Sequence, residues 1–238
     1  MKITNVKVYG LTDSIVASGL PMLSQFDEYA FQEESAAIQR RLSGEETQFG
    51  ASAVDRHLAR AKTLSGCAGG ESHDCFLCGV VVQMNVTAPR YWWPEFQRYH
   101  FADIVSSTST MHRLSTFVRR MAELRESGDL DVLETEKARH FAPETDRAAI
   151  EAFVSAAAAI LSKDGGNIGA LKACLPEGWL QTARITTNYR QLKTWVLQRS
   201  THRLREWRDL CEWIHTLPLF DELTTGKKRI AVGGADAK

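Results

Sequence analysis

The run Phe76-Leu77-Cys78-Gly79-Val80-Val81-Val82-Gln83-Met84-Asn85-Val86 limits the architecture more than any other stretch. β-Branched side chains are stiff at χ1 and pack well on a pleated surface, so the run predicts a buried strand over 76–86. Cys78 would pack there as a small hydrophobe. Ala88-Pro89 breaks the strand, and the glycine-rich loop from Ser65 to Gly70 precedes it. Around it, residues 26–42, 50–64, 111–127 and 145–163 have helical composition and spacing, with Ser43-Gly44 separating the first two and Asp164-Gly165-Gly166 stopping the last. Residues 2–9 alternate as a short strand, and Leu11-Thr12-Asp13 leads into a short helix ended by Gly19 and Pro21. Strands among so many helices predict an α+β fold, with an antiparallel or mixed sheet packed against several helices.

The 238 residues are 44% hydrophobic and 24% charged, enough apolar material for a real core in a single domain over 1–238. Lys+Arg and Asp+Glu are both 29, so no global field points to nucleic acid or an anionic membrane. No apolar run reaches the roughly 18 residues of a membrane span, and Met1-Lys2-Ile3-Thr4-Asn5-Val6 lacks the apolar centre of a signal peptide. The expectation is a soluble cytoplasmic protein with no membrane partner and no direct nucleic-acid binding. Five cysteines, an odd number, argue against a disulfide framework. Cys67, His73, Cys75 and Cys78 have zinc-like ingredients, but they crowd together without the separated pair of pairs that clamps a tetrahedral ion. The charged stretch 119–148, with Glu134-Thr135-Glu136-Lys137, reads as a solvated helical excursion.

Two features point to function. Tyr99 to His112 concentrates two histidines, Asp103 and a series of Ser and Thr hydroxyls behind the aromatic run Tyr91-Trp92-Trp93. Taken as a helix started by Pro94, so many hydroxyls are poor material for a solvated face and read as ligand-facing. The alternative is a hydroxyl-rich helix N-terminus. The second feature is a late helix over about 188–214, capped by Thr186 or Thr187. Its stripe Leu192, Trp195, Val196, Arg199, Arg203 puts a guanidinium where a core residue belongs. Arg199 either meets an internal carboxylate or waits for an anionic ligand.

In order and spacing, these residues resemble the flavin-dependent thymidylate synthases. In that family a Glu-His pair leads into a strand, an R-H-R-x-x-S-x-N-E-x-S-x-R-Y signature follows, and a late helix carries N-x-R-S-L and then an Arg. Here Ser72-His73 stands for the first pair, and Tyr99 to His112 lies on the signature without a gap. Asn188-Tyr189-Arg190-Gln191-Leu192 fits the late motif, Arg199 takes the place of the following Arg, and His202 to Arg208 resembles the H-A-Q-x-E-I-R stretch with one deletion. The resemblance covers roughly 70–215.

The resemblance implies FAD as cofactor, NADPH and methylenetetrahydrofolate as co-substrates, and transfer of a one-carbon unit to C5 of dUMP or a related pyrimidine deoxynucleotide. It also implies a homotetramer with sites shared between subunits. By the same carry-over Arg199 is the catalytic cation beside the pyrimidine carbonyls, and Ser109 touches the nucleotide. His73, His100, Asn188 and Arg190 contact flavin, with Ser106 a substitute contact. For His73 and His100 the bland reading is a satisfied core or interface histidine. The departures are specific: Tyr99 and Phe101 replace both arginines of R-H-R, Ser106 and Ser107 replace Asn-Glu, and Met111-His112 replaces Arg-Tyr. Cations that hold phosphate are thereby lost. Arg98 and Arg113 lie one residue from two of these losses, but one helical step turns a side chain by about 100°. A repurposed member that binds nucleotide or flavin, or only assembles, is the alternative function.

Overall fold

The computed structural model describes residues 1–45, 51–66, 72–163 and 167–224. In chain order the elements are β1 (Lys2–Tyr9), α1 (Leu11–Ala17), α2 (Glu28–Leu42), α3 (Ala51–Ser65), β2 (Val81–Pro89), α4 (Trp93–Gln97), β3 (Asp103–Ser107), α5 (Thr110–Ser127) and α6 (Leu130–His140). They continue as α7 (Arg147–Lys163), α8 (Ile168–Ala173), β4 (Leu180–Asn188), α9 (Tyr189–Arg199), α10 (Arg205–Ile214) and α11 (Phe220–Thr224). The fold is α+β, and its antiparallel sheet has the order β1-β2-β4-β3. The register of β2 against β4 is fixed by Thr87 facing Thr182, hydroxyl to hydroxyl at 2.8 Å, and by the Arg90 amide donating to the Trp179 carbonyl at 2.9 Å. Among the described residues no helix is long and apolar enough to cross a membrane.

The chain divides into two compact units, Met1–Asn5 with Met84–Ile185, and Val6–Gln83 with Thr186–Lys238. In the first, α5 packs on α6, α7 and α8. Trp179 is buried between Phe117 and Phe141, with ring centroids 5.2 and 5.3 Å away in edge-on geometry. Such aromatic pairs add about 0.5–1.5 kcal/mol beyond their area burial. Met121, Leu124, Leu133 and Phe141 of the charged stretch 119–148 belong to this core, so its charges lie on an outer face. Lys137 is the exception: it is buried and pairs with Glu134 at 2.8 Å and with Glu151.

In the second unit α1 packs on α2 and α3, α3 on α11, and α9 on α10. Leu192, Trp195, Trp207, Leu210 and Ile214 are buried there. The start of α9 is anchored by buried Tyr189, whose hydroxyl donates to the Pro218 carbonyl at 2.7 Å.

Three sequence expectations need correction. The strand predicted from Phe76 begins only at Val81, because Cys75–Gly79 forms a 3-10 turn. Gly79 explains part of this: a Cβ there would lie 2.5 Å from the Ser14 hydroxyl, so α1 presses on the turn where strand pairing was expected. Cys78 is therefore exposed instead of packed as a core hydrophobe. The hydroxyl-rich segment after Pro94 is not helical: α4 ends at Gln97 and the chain re-emerges as the exposed strand β3 at the sheet edge. Ile104-Val105 and the Ser residues that follow favour strand over helix, and Thr108 ties the strand's end to β4 by accepting the Thr182 amide at 3.1 Å. The single late helix is two. Asn188, not Thr186 or Thr187, caps α9, its side chain accepting the Gln191 amide at 3.0 Å. The chain then breaks at 200–204, where Arg208 donates to the carbonyls of His202 and Arg203 at 2.5 and 2.9 Å.

Candidate functional site

The first turn of α9 carries a compact charge arrangement in the second unit. Asn188 fixes the helix start, which sets Arg190 and Lys193 three residues apart on one face. Both reach Asp74, Arg190 Nε at 3.0 Å and Lys193 Nζ at 3.1 Å, and Lys193 also donates to the Ser65 carbonyl at 2.6 Å. Burial acts to depress the Arg190 guanidinium, but the Asp74 charge and contact with the Cys78 side chain outweigh it and hold its pKa above the ordinary arginine value. Arg190 is therefore a permanent cation, and its side chain keeps 35% exposure beside Asp74 at 16%. Asp74 follows Ser72-His73, where Ser72 adopts a left-handed φ of 59° and His73 is exposed. His73 is thus an exposed donor, not a core histidine.

At the other end of α9, the Arg199 guanidinium lies over the Trp207 ring at 5.2 Å from its centroid. Trp207 is fully buried and meets Trp195 edge-on at 6.1 Å. The aromatic wall explains how a guanidinium occupies the apolar stripe, since a ring face stabilises a cation by about 0.5–2 kcal/mol. Beneath it Cys211 donates weakly to the Trp195 carbonyl at 3.8 Å. Burial pushes the Cys211 thiol up to about 11 against the opposing charge of Arg199, so Cys211 is an inert core thiol at neutral pH. Arg203 falls outside both helices and is exposed, so it does not extend the stripe.

In the first unit, β3 presents an exposed row that includes Ser106 and Ser107, with His100 exposed just before it. Tyr99 and Phe101 stack edge-on at 4.9 Å, so an aromatic pair fills the two positions flanking His100. Ser109 is the N-cap of α5, its hydroxyl accepting the Met111 amide at 3.1 Å. One helical turn on, Arg113 lies over Trp179 at 5.7 Å and lines a concavity of about 420 Å³ with Arg119, Arg120 and His140. Arg98 is exposed.

Of the sequence-derived site residues, His73, Asn188, Arg190 and Arg199 fall in the second unit and His100, Ser106 and Ser109 in the first. The structure brings Asn188 and Arg190 together at one helix start and places His73 beside Asp74, the partner of Arg190. Among the described residues no group of three or more His, Cys, Asp or Glu could hold an ion; Cys67, one of the four residues with zinc-like ingredients, lies outside the described residues. Sequence reasoning passed over Asp74, Lys193 and Trp207. Asp74 directly follows His73, and Lys193 stands three residues after Arg190, so the ion-pair cluster had a local signal. Trp207 had none, because its contact with Arg199 crosses the break between two helices.

No protein-family model matches the chain. No curated protein matches it by sequence either. Solved structures share its fold, among them two of the same enzyme. A crystal structure of thymidylate synthase X (ThyX) from Helicobacter pylori with FAD and dUMP superposes with a TM-score of 0.61 at 14% identity, covering 94% of this chain and 97% of that one. Flavin-dependent thymidylate synthase ThyX from Helicobacter pylori complexed with FAD and dUMP gives 0.58 at 13% identity with the same coverage. At such identities the likeness establishes a ThyX-like fold and leaves the chemistry to the residues.

Proposed function

We propose that this chain is a flavin-dependent thymidylate synthase-like enzyme that binds FAD and a pyrimidine deoxynucleotide and transfers a one-carbon unit to C5 of dUMP or a related base. NADPH and methylenetetrahydrofolate are its co-substrates, and it works as a homotetramer. The observation that carries this reading is α9, on which two sequence-matched arginines occupy opposite ends of one helix in a ThyX-like fold.

The residues fit a flavin nucleotide at the level of donor type. Arg190 is a permanent, partly exposed cation suited to phosphate, His73 and His100 are exposed ring donors, and the Ser106 hydroxyl stands open on β3. FAD when bound supplies hydride-carrying chemistry. Asn188 holds the helix that aims Arg190, and Asp74 fixes the guanidinium plane. Ser109 offers a hydroxyl at the start of α5 for the nucleotide. In this reading Arg199, whose guanidinium lies over Trp207, stabilises the negative charge that develops on a pyrimidine carbonyl as C5 becomes nucleophilic.

A second reading, binding without turnover, draws on one observation. The Tyr99–Phe101 aromatic pair stands where the family has two cations, which removes charge from the phosphate-holding signature. Anaerobic reduction of the FAD-loaded protein, followed by dUMP and methylenetetrahydrofolate, separates the two. Flavin reoxidation that requires dUMP, with release of the C5 hydrogen, supports the enzyme; flavin that stays reduced under these conditions supports the binder.

A further inference from the structure

The 3-10 turn Cys75–Gly79 carries the sequence Cys-Phe-Leu-Cys-Gly, and both cysteines are reduced and exposed. In a 3-10 helix residues i and i+3 eclipse, so Cys75 and Cys78 stand on one side of the turn. Three steps of about 2.0 Å rise put their Cα atoms about 6 Å apart. That separation falls inside the window of about 4.4–6.8 Å in which a disulfide closes without moving the backbone. The turn is held at both ends. The Cys75 amide donates to the Ser72 carbonyl at 3.2 Å, Leu77 between the cysteines is fully buried, and the Val80 carbonyl accepts the Tyr189 amide at 3.1 Å.

The surroundings are cationic. Arg190 and Lys193 share the single carboxylate of Asp74, and Arg190 also engages the Cys78 side chain and lies within the field of Cys75. Both thiols are exposed, so a small disulfide can reach either sulfur. Among the described residues Cys174 is exposed and Cys211 is buried.

We propose that Cys75 and Cys78 are a redox-active dithiol that exchanges with low-molecular-weight disulfides of the glutathione type. The Cys78 thiolate attacks one sulfur of the disulfide, forming a mixed disulfide and expelling a thiolate that takes up a proton. The Cys75 thiolate then attacks the Cys78 sulfur, forming the Cys75–Cys78 bond and releasing the second thiol. One protein dithiol and one disulfide become one protein disulfide and two thiols, so the small disulfide is the oxidant and no other redox partner is needed.

The test equilibrates the full-length reduced protein in mixtures of reduced and oxidised glutathione, quenches with acid, alkylates, and maps the peptides by mass spectrometry. The expected result is a peptide spanning both cysteines that loses two hydrogens at a midpoint reached equally from the oxidised and reduced sides. Cys75→Ser should accumulate a glutathionyl adduct on Cys78, and Cys78→Ser one on Cys75, because neither variant can close the intramolecular bond that resolves the mixed disulfide. Both substitutions alter exposed side chains, so unchanged circular dichroism and melting are expected. The proposal is overturned if both thiols remain alkylatable at every ratio, if either pairs with Cys67 instead, or if the wild-type protein accumulates the same glutathionyl adducts as the serine variants.

Discussion

Arg199 concentrates the functional argument at the scale of single residues. Its position in the apolar stripe is visible in sequence, whereas the Trp207 ring that supports it becomes visible only when α10 folds back against α9. Arg199→Ala should weaken dUMP binding by at least about tenfold, equivalent to about 1.4 kcal/mol, in equilibrium titration. Arg199→Lys should not restore it, since an ammonium lacks the planar fork and ring stacking of guanidinium. Unchanged binding in both variants, with a lower melting temperature, would assign the side chain to packing.

Lys137 supports a separate prediction about stability. The Lys137 hydrogen bond holds Glu134 below the usual carboxylate range. For Glu151 burial works in the opposite direction, but Lys137 and Arg125 outweigh it, so its pKa is also lowered. Depressed carboxylates contribute stability that is fully present above their unfolded pKa, about 4.3, and lost as pH falls through the folded values. Denaturant titrations should therefore show stability falling between about pH 5 and pH 3, with a share from this cluster of order 1 kcal/mol because both carboxylates are partly solvated. Lys137→Met should flatten that slope and lower stability at pH 7 by about the cluster's share, of order 1 kcal/mol, since it removes one partner and leaves Glu134 and Glu151 without it. A variant with the wild-type slope would contradict the assignment.

Among elements, helix existence was legible because amphipathic spacing and caps are local. The segments expected at 26–42, 50–64, 111–127 and 145–163 correspond to α2, α3, α5 and α7, within a few residues. Junctions were less legible. The 3-10 turn before β2 depends on Gly79 meeting Ser14, and on Gly10 at φ 69°, where a Cβ would lie 2.6 Å from the Gly79 carbonyl. β3 was mistaken for helix because Pro94 does start one, and only pairing across to β4 ends the ambiguity. The cap at Asn188 separates two roles within one residue. Asn188→Ala should cost about 1 kcal/mol in urea unfolding of the flavin-free protein, through the lost hydrogen bond to Gln191. Asn188→Asp should retain most of that stability. No loss in either variant would leave flavin contact as the side chain's sole role.

At the scale of the whole molecule, the α+β class followed from a β-branched run among amphipathic segments, and the ThyX-like fold bears out that class. The site was legible only in part, for a physical reason. Matched residues such as Asn188, Arg190 and Arg199 lie on one regular helix, where spacing along the chain fixes spacing in space. His100, Ser106 and Ser109 lie in the segment before an edge strand, on that strand and at a helix cap, where the geometry comes from β4 and from α5, not from their own sequence. The cationic signature is reduced here, so the proposed flavin site relies on fewer cations, Arg190 among them. The most direct measurement is the visible absorption spectrum of the purified protein after incubation with excess FAD and gel filtration. Flavin bands that co-elute with the protein, and are lost in Arg190→Ala, are the predicted result. A colourless protein after incubation with excess FAD would contradict flavin binding and, with it, the proposed one-carbon transfer.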